Sequence, residues 1–346
     1  MAKKTKGLLK RWFIDAFGAM AMGVFATLLI GSIFEQISKW TNWEFLLTLA
    51  TYAKNGFVVG AAIGVAVANG LKVKPLVMIS GAVCGAVAYK EGGGPLGAYL
   101  AAVVGSELAN LIAGKTRFDI LLVPSVSIIS GGAVGVLTGP YIDAFCDWIG
   151  VQIGNATTLQ PVLMGIIVAV VMGLALTAPI SSAAIAAVVF TTDAFNNGGS
   201  GVALAAGAAT VGCCCNMVGF AVASYRENKV GGLLAQGIGT SMLQVPNIVK
   251  KPIIWLPAIL SSAILGPVGT MVFHMTNNAT GSGMGTAGLV GQIMTWQTMI
   301  GTETPSMLLV KILLIQVILP AIVTLLISEF MRKKKWIKYG DMKLDL

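Results

Sequence analysis

Read for polarity alone, the chain is a succession of long apolar runs broken by short polar stretches, with no strand-like alternation. Nine runs stand out: Phe13–Phe34, Asn55–Gly70, Pro75–Tyr89, Pro95–Ala113, Ile120–Thr138, Pro161–Ala178, Val202–Ser224, Ile253–Phe273 and Met307–Phe330. A helix crosses the hydrocarbon core of a bilayer in about 20 residues. The second and third runs are short alone and extend into their flanks. Three further apolar pieces are too short or wrongly placed for ordinary spans: Ile180–Phe190, Gly231–Val245 and Gly288–Ile300. They read as half-helices or re-entrant segments. The pattern predicts an all-α polytopic membrane protein with about 10 transmembrane helices, two or more of them re-entrant or broken.

Composition and charge agree. Of 346 residues, 56% are hydrophobic and 11% charged, against about 25% charged in a soluble domain. The net charge of +9 is concentrated at the ends: residues 1–11 carry +5, residues 331–346 carry +4, and the stretch between is neutral. The basic character therefore describes two tails flanking a membrane, not a nucleic-acid surface. Lys and Arg collect on the cytoplasmic side, which predicts both termini cytoplasmic and an even number of spans. Lys72/Lys74, Lys115/Arg117, Arg226/Lys229 and Lys250/Lys251 mark further cytoplasmic loops, and the Tyr141–Gln160 connection, with Asp143 and Asp147 alone, faces outward. Parity then makes Gly288–Ile300 re-entrant, and the basic loops on both sides of Gly231–Val245 make it a re-entrant or interfacial segment. Such irregular backbone survives at membrane depth only inside protein or beside a water-filled cavity, so several pieces of it argue for a transport pathway.

The small residues fit close helix packing. The chain has 43 glycines, and pairs four apart such as Gly60/Gly64 and Gly81/Gly85 let backbones approach. Three proline-bounded runs ending in "VLTGP", "LALTAP" and "SAILGP" suggest a weak internal repeat with breaks at Pro140, Pro179 and Pro267. The consecutive Cys213, Cys214 and Cys215 would point about 100° apart on a helix. They read as small packing residues, and no metal site or cofactor is predicted.

Chemistry could sit in three polar stretches, Gly154–Pro161, Thr191–Gly201 and His274–Gly288, all placed on the outer side as loops or inward dips. Amides and hydroxyls suit neutral hydroxylated ligands because they both donate and accept. Ionisable residues inside apolar segments cost about 2.5–3.5 kcal/mol to insert and are functional candidates: Glu107 in mid-span, Asp193 after the half-helix, and Glu303 in Gly301–Pro305. Lys54 and Lys311 are possible counter-ions. The candidate solute-binding set is Glu303, His274, Asn277, Asn278, Asp193, Asn196, Asn197 and Glu107. No Walker loop, GxSxG or paired-His helix is present, so no catalytic residue is assigned.

The stretches "MGLALTAPISSAAIA" (Met172–Ala186), "GTSMLQVPNIVKKPIIWLPAILSSAILGPVGT" (Gly239–Thr270) and "MTNNATGSGMGTAGLVGQ" (Met275–Gln292) resemble a bacterial family of EIIC-like membrane proteins. These are sugar permease subunits of the phosphotransferase system, including the perfringolysin-regulator type. The resemblance spans essentially the whole chain. It implies one EIIC-like membrane domain over 1–346, a homodimer in the bacterial cytoplasmic membrane, and a central polar site. Glucose-type relatives carry a Gly-Ile-Thr-Glu-Pro loop whose glutamate contacts sugar; here Gly301-Thr302-Glu303-Thr304-Pro305 places the acid one position earlier. Any phosphotransfer would reside on separate IIA and IIB partners. The leading expectation is a permease for a small polar solute, a sugar before other compounds, working by alternating access. The alternative is a membrane sensor that binds without transporting.

Overall fold

The computed structural model describes residues 11–156, 159–190 and 192–344. The expected basic tail at 1–10, Thr157 and Thr158 of one polar stretch, Thr191 of another, and Asp345 lie outside those residues. Among the described residues the secondary structure is helical, with a single isolated bridge between Ile300 and Glu303. Six helices are long and apolar enough to cross a membrane, or seven when one bent pair counts as a span. A polytopic all-helical membrane protein is therefore what the sequence forms.

The chain divides into two compact units, Met1–Phe145 and Cys146–Leu346. The first contains α1 (Arg11–Lys39), α2 (Glu44–Ala53), α3 (Gly56–Gly70), α4 (Pro75–Ala88) and α5 (Gly94–Ile112). The boundary between the units falls within α6 (Asp119–Ala156). The starts are set by local chemistry. The Asn55 side chain accepts from the Phe57 amide at the head of α3, satisfying a donor that has no intrahelical partner. Proline opens α4, where its missing N–H costs nothing. Between α4 and α5 the backbone leaves helical geometry at Glu91 and Gly92 (φ +90°), and the two helices pack on each other as a hairpin. The α3–α4 contact is glycine on glycine. A Cβ on Gly85 would strike the Gly60 carbonyl oxygen, and one on Gly64 the Gly81 carbonyl oxygen.

The second unit is built around α9 (Thr192–Ala223), which packs on α7 (Pro161–Thr177) and α12 (Leu256–Met271). In Gly201–Ala223, 83% of the most apolar 18-residue window is buried within the protein, against 22% of that in Asp119–Ile153. The first is the core; the second presents its apolar side chains outward. Shorter pieces surround α9: α8 (Ser182–Val189), α10 (Tyr225–Leu234), α11 (Val245–Lys250), α13 (Ala279–Ser282) and α14 (Val290–Met299). The last long helix is α15 (Pro305–Lys333). The three cysteines turn to different neighbours. Cys213 faces the Met172 carbonyl, Cys214 accepts from Gln292, and Cys215 joins an apolar cluster with Leu265, Met299 and Leu308.

Three local expectations are corrected. Of the proline breaks, only Pro179 ends a helix: Ala178 before it is extended (ψ 158°), as the residue preceding proline prefers. Pro140 and Pro267 lie inside α6 and α12. In water an interior proline costs about 3 kcal/mol, but in lipid an opened backbone would expose more unpaired groups than the one bond proline removes. The Tyr141–Gln160 connection is helical as far as Ala156, and Thr191–Gly201 is not a loop, since α9 begins at Thr192. The same demand for internal backbone pairing extends both helices through polar text. The apolar α2 lies in the flank into which the short run Asn55–Gly70 was expected to extend, but as a separate helix bent 56° from α3.

The close contact of α9 with α7 rests on Gly212, where a Cβ would collide with the Ala169 carbonyl oxygen. Gly212→Ala is expected to lower stability by about 1–3 kcal/mol through overpacking. Gly132, in α6 with open space around it, should accept alanine without loss. Thermal unfolding of the purified protein in detergent checks the pair.

Candidate functional site

Between α12 and α14 the second unit abandons regular helix. Residues 274–278 are non-helical, α13 is a single turn, and His274 (φ +47°), Gly285 (φ +53°), Gly288 (φ +54°) and Leu289 (φ +60°) all adopt left-handed backbone. Side chains other than Gly and Asn rarely do so, and such strain gathers at functional sites. Much of the stretch is nevertheless buried: Met275, Asn277 and Ser282 have no exposed surface.

Asn277 is what makes that burial affordable to the backbone. Its amide nitrogen donates to Thr210 Oγ1 (2.8 Å), Thr295 Oγ1 (3.0 Å) and the Gly291 carbonyl (3.1 Å), while its oxygen accepts from the Asn278 amide (2.8 Å). It thereby joins the irregular stretch to α9 and α14. Asn278 caps α13, accepting from the Gly281 amide at 3.0 Å. The network continues to α15, where Gln316 donates to Thr295 Oγ1 at 2.8 Å. Gln316 sits in a π-turn (Leu314–Ile318), a distortion that recurs at functional positions. It is fully buried, and its carbonyl oxygen has no hydrogen-bond partner.

Glu303 lies in the turn after α14, beside Gly301 (φ +98°). Its Oε1 is paired with Lys311 of α15, whose ammonium also lies 3.4 Å from the Phe273 carbonyl, next to His274. The ion pair is mostly buried, at 22% and 18% side-chain exposure. Glu303 Oε2 is buried and has no partner. His274 itself is exposed. A carboxylate fixed through one oxygen and unsatisfied at the other is an acceptor awaiting a donor.

The candidate residues thus separate. Glu303, His274, Asn277 and Asn278 belong to one region of the second unit, built by α12, α14 and α15 and the irregular stretch. Asp193, Asn196 and Asn197 lie on the first turns of α9, with side chains outside the described residues. Glu107 belongs to the first unit, where it accepts from Trp12 Nε1 at 2.8 Å and lies 3.5 Å from Arg11. Lys54, the other suggested counter-ion, pairs with Glu35.

A second polar cluster escaped the sequence reading. Asn216 accepts from Thr177 (3.1 Å) and Trp255 Nε1 (2.9 Å) and donates to the Gly212 carbonyl (3.1 Å), and Thr177 bonds Ser241 at 2.7 Å. Thr210 and Asn216 share one signal: isolated polar residues inside the uncharged apolar run Val202–Ser224.

A family model described as Phosphotransferase system, EIIC matches residues 14–344, and the chain belongs to that family. It is accordingly a multi-pass protein of the bacterial cytoplasmic membrane and a sugar permease component of the phosphotransferase system. No curated protein and no solved structure matches it.

Removing the Asn277 side chain would leave several buried groups without their partner, each worth about 1–3 kcal/mol. Asn277→Ala is therefore expected to destabilise by about 3 kcal/mol or more. Asn278→Ala, which removes a helix cap, should cost about 1 kcal/mol. Denaturation of the two variants side by side, read by tryptophan fluorescence, checks the order.

Proposed function

We propose that the permease binds a neutral sugar at the Glu303 turn of the second unit and moves it by alternating access. The observation that carries this reading is the buried, unpartnered Oε2 of Glu303, held in place by Lys311. A sugar hydroxyl is a donor of the right kind, and the Lys311 ion pair keeps the acceptor aimed without leaving a lone buried charge. His274 adds a donor or acceptor beside the same turn. Asn277 and Asn278, whose hydrogen bonds are committed internally, build the floor on which the turn rests. Asp193, Asn196 and Asn197 are the remaining candidates for solute contacts. Glu107 we read as a tie between α1 and α5 rather than a solute ligand.

The half-length α8, the irregular stretch before α14 and the turn after it are the elements we assign to gating. The orientation we adopt puts both termini in the cytoplasm. Residues 225–251 and 332–343, both rich in Lys and Arg, lie against each other in the second unit, a clustering that favours the cytoplasmic face. We further propose a homodimer, and phosphorylation of the solute by separate IIA and IIB proteins.

Uptake of a panel of labelled sugars into proteoliposomes tests the proposal. Saturable uptake of at least one sugar is expected, falling at least about tenfold in Glu303→Gln, a loss of the order a charge-assisted hydrogen bond supports. Lys311→Met, which frees the carboxylate from its counter-ion, should also reduce uptake. Tight sugar binding with no flux would replace transport by sensing. Uptake indifferent to added IIB and the general phosphotransfer proteins would make the chain a facilitator.

A further inference from the structure

The segment after α15, expected as a solvated basic tail, is packed against the protein. Ile337 and Met342 are 2% and 0% exposed and share an apolar cluster with Phe220, Ile248, Ile254 and Met331. Three side-chain amides grip the backbone around Met342. Asn228 donates to the Met342 carbonyl (2.8 Å) and accepts from the Leu344 amide (2.8 Å). Gln244 donates to the same Met342 carbonyl (3.0 Å), and Asn247 to the Lys343 carbonyl (2.8 Å). Lys251 pairs with Asp341 at 2.5 Å, and the Gly340 amide reaches Glu227, which is itself held by Arg332.

The surface that grips it is itself irregular. Within residues 225–250 the chain passes from α10, interrupted at Lys229 (φ +52°), to a π-turn (Ala235–Gly239), an extended Thr240, a 3-10 turn (Ser241–Gln244) and α11. Its polar side chains form a relay from Ser224 through Gln236 and Gln244 to Asn247, each link 2.9 Å or shorter, and that relay ends on the Met342 and Lys343 carbonyls of the strap formed by residues 336–344.

We propose that residues 336–344 are a releasable latch that holds residues 225–250 in one conformation, so that the two leave and return together. The argument is one of satisfaction. Gln244 and Asn247 are buried and donate to strap carbonyls. A strap lifted from an unmoved segment would break those hydrogen bonds at once and open the apolar pocket of Met342 to water, which is the costly state. Two states are free of that penalty: strap seated, or strap and segment both hydrated. A network satisfied only as a whole switches as a whole. Burial by itself would raise the Asp341 carboxyl, but Lys251 and the Lys338 amide outweigh it and hold it below the usual carboxylate range. A carboxylate lowered on seating contributes its part above its free pKa and loses it only as pH falls through the lowered value. The ion pair therefore stays intact around neutrality.

Hydrogen exchange on the full chain in nanodiscs tests the latch. Met342→Asp places a charge in the apolar pocket and is expected to raise exchange at least about tenfold both in 336–344 and in 236–250, leaving Pro161–Thr177 and Leu256–Met271 protected. Met342→Leu should keep the wild-type pattern. Asn247→Ala, which removes one grip without adding charge, should produce the same paired rise at about threefold, and covers the case in which the charged variant fails to fold. A synthetic peptide of residues 336–344 added in excess to Met342→Asp should restore protection of 236–250. Faster exchange of the strap alone would overturn the proposal, as would a rise spread equally over all helices, or peptide addition without effect.

Discussion

A bilayer offers no water to an open amide, and that constraint shapes the protein at every scale. A helix meets it internally, which is why α6 continues through two prolines and α9 through a polar run of Asn, Gly and Ser. Where the chain does leave helical geometry inside the second unit, side chains replace the missing backbone partners. Asn277 does this between α12 and α14, and Gln236, Gln244 and Asn247 do it between α10 and α11. At these breaks, buried polar side chains are substitutes for lost helix.

That rule also explains which features could be read in advance. Each of the nine apolar runs corresponds to helix, with boundaries within a few residues for α3, α4, α5 and α7. Hydropathy and helix geometry there answer to the same twenty-residue demand, and Asn55, Pro75, Pro161 and Pro305 mark starts by their capping chemistry. Polar composition was a poorer guide to loops, because in lipid a polar helix is preferable to a polar coil. Hence Thr191–Gly201 reads as a turn but folds as helix. The network around Asn216 was hidden for a different reason: one amide in the long apolar run Val202–Ser224 barely changes its average. The Glu303–Lys311 pair was half visible, the acid by its break and the lysine only as a possible counter-ion. Residues 331–346 looked like a tail because charge was counted and Ile337 and Met342 were not weighed.

The distinction between satisfied and unsatisfied polar groups then divides labour within the second unit. A group that holds solute must have hydrogen-bonding capacity to spare, and must give it up again when solute leaves. Asn277 has none to spare, since its amide nitrogen already meets three acceptors and its oxygen a backbone donor. Rebinding it to a sugar would first require dismantling the link between α9 and α14. Glu303 Oε2 and the carbonyl oxygens of Gln292 and Gln316 have that capacity and are buried without partners. All three lie on α14, α15 or the turn joining them. Gln316 reaches Thr295 across the two helices and Lys311 reaches Glu303, so any change in the angle between α14 and α15 alters the floor and the acceptor together. On our proposal this coupling lets one hinge both expose the sugar-binding carboxylate and reset it, without breaking the Asn277 network that holds the irregular stretch in the membrane.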